Sequence, residues 1–300
     1  MCYRFWISDF RLRIEESRLI NSTSVTFRKI QNPQSKIRNR NTLAAVRVSS
    51  IFAIAIVLSC CSNSVNSRLS TEMPQKILWA WERPEDLKFI DPNEFGVAFL
   101  AQTISLENDR VSTKPRRQPL DIAPGTYLIA VTRIETNKET VRRPKFDLPM
   151  IGKTAALIKN TLALPDVKAV QIDFDAVVSE RAFYRKMVTQ LRDMLDKDSD
   201  KSVRVPLTMT SLASWCTGDA WFNDFPVDEA VPMVFQMGAD SDKIKTYLRN
   251  GSDWTEPLCR GSYGISLDDA LNVEMKPNRR IYYFKNSAWT NSDLVRLNQG

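Results

Sequence analysis

Residues 168–176 read KAVQIDFDA. Val170, Ile172 and Phe174 alternate with Gln171, Asp173 and Asp175, and the run is short, β-branched and aromatic, as a strand of a covered sheet should be. Two carboxylates in such a strand are unexpected, because an unpaired charge in an apolar interior costs several kcal/mol, of the order of a domain's whole stability. The conflict is removed if the strand lines a barrel. Gln171, Asp173 and Asp175 then share the face toward the axis, with both acids near the mouth, while Ile172 and Phe174 face surrounding helices.

Seven further apolar runs extend this reading: 76–82, 95–106, 126–135, 203–215, 230–238, 263–267 and 280–286. Between some of them lie helical patterns. In 179–198, Phe183, Met187, Leu191, Met194 and Leu195 recur on one face behind an expected N-cap at Ser179. Segments 147–164 and 241–250 behave similarly. The link 110–125 is not helical, and RVSTKPRR (110–117) reads as a solvated loop. Eight strands with helices in most connections predict an α/β fold, a (β/α)8 TIM-type barrel, somewhat irregular, over residues 76–300. The alternative is an open doubly wound sheet, which would carry a glycine-rich phosphate loop after its first strand, and none is seen in a chain with 9 glycines.

The chain has no histidine, which excludes Ser-His-Asp and Cys-His catalysis and histidine-bound zinc. Chemistry must rest on carboxylates, Lys, Tyr, Cys or an oxygen-bound hard metal; no cofactor or metal site is assigned. The formal charge of +7 resides entirely in residues 1–50, so the remainder offers no net basic field and nucleic acid is not expected as a partner.

That basic, low-complexity stretch, 1–48, is expected to be disordered or not translated. Residues 49–60 contain SSIFAIAIVLSC, an apolar run too short to span a bilayer but suited to a secretory signal. The junction VLSC resembles a bacterial lipoprotein signal with Cys60 lipidated; registration on Cys61, an uncleaved anchor and ordinary cleavage are the alternatives. The implied protein is exported and anchored in the cell envelope, through a linker at 61–75. In an oxidising compartment Cys216 and Cys259 are candidates for one disulfide, with two separate thiols as the alternative.

Barrels carry function at the C-terminal ends of their strands. Those ends hold Trp81, Glu82, Gln102, Arg133, Glu135, Asp173, Asp175, Trp215, Gln236, Ser266, Lys285 and Asn286. Adjacent acids push one another's pKa values apart, which general acid/base and glycosidase chemistry requires. Asp175, Asp173, Glu135 and Glu82 are therefore the candidate catalytic residues. Trp81 and Trp215 are candidate sugar platforms, with Arg133, Gln236 and Asn286 as polar contacts. The bland readings are an Asp173–Arg133 pair, salt bridges from Glu82 to Arg83 and from Glu135 to Arg133, and tryptophans serving as packing. Asp219, Asp224, Asp228 and Glu229 read as loop acids and a helix start.

From Leu78 to Thr290, through LWAWERPEDLKFIDP, VQIDFDA, SLASWCTGDAWF, PVDEAVPMVFQMG and PLCRGSYGIS, the chain resembles the DUF3142 family of bacterial envelope proteins. IDFDA is also similar to the fourth-strand motif D-G-x-D-x-D-x-E of family 18 glycoside hydrolases. That likeness implies a barrel acting on polysaccharide, with Asp173 and Asp175 at the second and third acids. Val170 stands at the first acid and Val177 at the proton donor, so an acid would have to come from Glu135 or Glu82. Two functions follow: a carboxylate-dependent glycoside hydrolase of the envelope, or a non-catalytic lipoprotein binding glycan or a partner.

Overall fold

The structure is a computed structural model that describes residues 72–198, 204–269, 271 and 273–299. The extension at 1–48, the signal at 49–60 with Cys60, and the linker as far as residue 71 lie outside the described residues. In chain order the elements are β1 (Lys76–Ala80), β2 (Glu85–Leu87), β3 (Phe95–Glu107), β4 (Arg110–Pro115), β5 (Leu120–Ile122), β6 (Tyr127–Thr136), α1 (Leu148–Lys159), β7 (Val167–Asp173), α2 (Arg181–Asp198), β8 (Leu207–Leu212), β9 (Glu229–Met233), α3 (Ser241–Arg249), β10 (Ser262–Ser266), β11 (Arg280–Phe284) and α4 (Asn291–Gln299).

Strands β1, β3, β6, β7, β8, β9, β10 and β11 pair in that order, all parallel, and β11 pairs back to β1. The result is a mixed α/β fold around a closed eight-stranded parallel barrel. Closure explains the continuous apolar runs: each strand is covered on both faces. Inside the barrel Ile77, Trp79, Ile129, Val131, Val231, Tyr282 and Phe284 pack together. Outside it, Val170 and Ile172 of β7, with Phe174 just past the strand, pack with Phe183, Tyr184, Met187 and Leu191 of α2. The alternation read in VQIDF is thus the inside-outside alternation of a barrel wall.

Three crossovers carry α-helices: α1 before β7, α2 before β8 and α3 before β10. Among the described residues the others carry short strands, 3-10 turns or, between β10 and β11, neither, so the helical ring is partial. Asp147 caps α1 by accepting the Met150 N–H at 3.0 Å. Ser179 does not cap α2, contrary to expectation; a 3-10 turn at Val178–Glu180 precedes the helix. Glu180 is buried there and accepts from Val177 N, Thr136 Oγ1 and Lys138 Nζ, tying the ends of two neighbouring strands together.

The segment 110–117 is not simply a solvated loop. β4 turns back antiparallel on β3 through Asn108 and Asp109, with Glu107 opposite Arg110 and Asn108 at φ 51°. A two-residue turn led by asparagine is the standard hairpin solution, and it covers the edge of β3 where that strand overruns the barrel. β3 and β6 still pair at Leu106 and Thr136, whereas β7 ends at Asp173 opposite Arg133. One side of the mouth therefore carries a β-wall standing above the rim.

Cys216 and Cys259 form a disulfide, with Cα atoms 6.0 Å apart. It fastens the turn after β8 to the turn before β10, and the Cys216 carbonyl also accepts from Thr255 N and Oγ1. Among the described residues no helix is long and apolar enough to cross a membrane.

Candidate functional site at the barrel mouth

Asp173 is the last residue of β7, and its carboxylate is 13% exposed. Thr210 Oγ1, on β8, donates to Asp173 Oδ1 at 2.8 Å, and Arg133 Nη1, its register neighbour on β6, lies 3.8 Å from Oδ2. Parallel register alone brings Arg133 beside Asp173. The same guanidinium donates through Nε to Glu135 Oε1 at 3.1 Å and sits 6.0 Å over the Trp81 ring. Trp81, half-buried just past β1, packs in turn on Trp79 at 5.5 Å. Arg133, Asp173, Glu135, Trp81 and Thr210 thus form one arginine-centred cluster.

The other expected residues are placed differently. Asp175 lies beyond the end of β7 and is exposed, so strand alternation no longer sets its direction as the expected shared face required. Its charge is still felt nearby. Burial first, then the charges of Asp173 and Asp175, push the Tyr184 phenol well above its usual pKa. Glu82 pairs with Lys114 of β4 at 3.0 Å and not with Arg83, which binds Glu85. The Lys114 pair ties Glu82 to β4 of the β-wall. Gln102 points outward, following a register shift between Leu100 and Gln102, and bonds Thr132 and the Leu157 carbonyl of α1.

Trp215 is 4% exposed, packed against Trp221 and Phe222 in the outer core, and has no free face for a sugar ring. The expected platform there is a packing residue, because the turn after β8 folds back under the disulfide. Gln236 and Asn286 are exposed past the ends of β9 and β11. Their backbone N–H groups donate to Asp269 and Asp268 respectively, which ties both to the turn after β10. Among the described residues no group of three or more Asp, Glu or Cys is arranged to hold a metal ion.

Sequence reading missed several polar residues. Thr210 was legible as the partner of Thr208 in LTMTSL, two residues apart on one strand face. Asp228 and Glu229 do not start a helix; Asp228 lies buried in the bend just before β9, and Glu229 in the strand itself. Asp228 bonds Arg192 at 2.6 Å and also pairs with Arg204. Glu229 opens β9, is 1% exposed, and accepts from Arg280 Nη1 and Tyr282 Oη, each at 2.9 Å. These partners are 36 and 51 residues away along the chain, beyond the reach of local pattern.

Comparisons of the chain with protein families, with curated proteins and with solved structures give no match.

Proposed function

We propose that the protein is an exported, lipid-anchored envelope protein of the DUF3142 type, built on an irregular TIM-type barrel whose mouth binds carbohydrate. The observation that carries this reading is the cluster of Arg133 between Trp81, Asp173 and Glu135. It joins a flat apolar face to charged hydrogen-bonding groups, the combination that a sugar ring with its hydroxyls requires. Asp173 and Glu135 are both ion-paired to Arg133, and Glu82 to Lys114, which suits fixed acceptors of hydroxyl protons better than proton carriers. Val177 in place of a proton donor favours binding over cleavage. The buried disulfide supports export, since such bonds persist in oxidising compartments.

Glycan arrays of envelope and extracellular polysaccharides, probed with purified protein, test the reading. Trp81→Ala is expected to weaken binding about tenfold, about 1.4 kcal/mol, with the fold intact by circular dichroism. Absence of binding to every glycan, or unchanged affinity in that variant, overturns it. One observation keeps hydrolysis as a second reading: the Glu135 carboxylate is 53% exposed beside the same arginine that faces Asp173. Release of reducing ends that disappears in Glu135→Gln or Asp175→Asn would establish that reading instead.

A further inference from the structure

Parallel barrels of this kind are filled by layers of branched apolar side chains, and the axis of this one is interrupted by polar groups. Gln171 is fully buried on the axial face of β7, two residues below Asp173, and among the described residues neither end of its amide meets a protein partner. Thr208, its register neighbour on β8, is also fully buried; its hydroxyl lies beside Tyr282 without closing a well-formed bond. Ser262 Oγ on β10 and Trp79 Nε1 on β1 are likewise buried and, among the described residues, without a hydrogen-bond partner. The next axial positions, Ala98 and Ala169, carry only a methyl group.

Leaving so many polar atoms bare would cost an amount comparable to the whole stability of a domain. The set also specifies what satisfies it. Gln171 both donates and accepts, Thr208 and Ser262 do either, and Trp79 donates only. A small guest that donates and accepts through one oxygen fits all four. At the lower end, Thr208 is paired in register with Glu229, which binds Arg280 and Tyr282. At the upper end, Gln171 and Asp173 sit about 6.5–7 Å apart along one strand face, a gap that a bridging water spans.

We propose that the barrel axis below Asp173 is a binding shaft for ordered water, held by Gln171, Thr208, Ser262 and Trp79 and linking the mouth carboxylate to the Glu229–Arg280–Tyr282 floor. Gln171 is then a positioning residue for Asp173. The shaft stands whether the mouth binds glycan, cleaves it or does neither, so its test uses no activity assay.

The experiment is a crystal structure of the protein, at a resolution that places solvent, together with Gln171→Met, which keeps length and removes the hydrogen bonds. Water density within hydrogen-bond distance of both amide ends and of Thr208 Oγ1 is expected, as are a lowered Tm and an Asp173 carboxylate displaced from Thr210 in the structure of the variant. A dry axis, or a Tm that is unchanged or raised, overturns the proposal. If Gln171→Met does not fold, Ser262→Ala serves: loss of one solvent peak with its neighbours retained supports the shaft, and unaltered density on the axis refutes it.

Discussion

At the floor of the barrel Arg280 meets Glu229 at 2.9 Å with side chains 6% and 1% exposed; at the mouth Arg133 meets Asp173 at 3.8 Å with side chains 20% and 13% exposed. The chemistry is the same and the setting differs. At the floor, Arg280 also donates to the Pro74 carbonyl and Glu229 also accepts from Tyr282, so each charge is satisfied within the protein. At the mouth, Arg133 is shared loosely between two acids and an aromatic face, so a ligand can compete for it. A buried, saturated pair belongs to the fold, and a shallow, shared one can belong to function.

The largest expected effect breaks the floor. Glu229→Gln leaves Arg280 buried without a counter-charge and should cost about 3–5 kcal/mol in urea denaturation, whereas replacing both residues by methionine should recover most of the loss. A cost below about 1 kcal/mol for the single variant would make the floor pair no different from a surface one.

A smaller effect comes with pH. Burial, then the nearby Glu229 charge, pushes the Tyr282 phenol well above its usual value, and burial pushes Tyr127 to about 12. Both groups have folded pKa values above the unfolded value of about 10. Their contribution is therefore fully present below pH 10 and is lost as pH rises from there toward the folded values, because the unfolded chain releases its phenolic protons first. Stability should fall by about 1.4 kcal/mol per pH unit for each such tyrosine above pH 10. Denaturation midpoints that stay level across that window would contradict the sealed floor.

The smallest effect is expected at the mouth. Arg133→Met removes a partly exposed, shared cation and should change stability by less than about 1 kcal/mol while weakening glycan binding. A loss as large as that of Glu229→Gln would show the mouth pair to be structural and erase the distinction between the two ends.

The two ends were unequally legible in sequence. Asp173 and Arg133 could be anticipated as neighbours because both sit at strand ends and their strands are successive in the barrel. Glu229 and Arg280 could not, because DEAV reads locally as a helix start and nothing near it names an arginine 51 residues away. Trp215 illustrates the same limit: its position after β8 is readable, but only the packing of Trp221 and Phe222 decides that its ring is covered. α4 also escaped notice although Thr290 and Asp293 carry its cap, with Asp293 accepting from Thr290 N and Oγ1. Nine residues with one short apolar stripe make a weak periodic signal.

What the amino-acid sequence determined by itself were the eight barrel strands in order, the three longer amphipathic patterns between them, and the alternation in VQIDF. Those features are encoded between near neighbours, through the two-residue period of a strand and the 3.6-residue period of a helix. What only the tertiary structure decided was which charges are sealed and which stay within reach: Glu229 under the barrel, Asp173 in its mouth, Asp175 released past the end of β7. Those outcomes depend on strand register and closure, which set partners across the barrel where no local period carries the information.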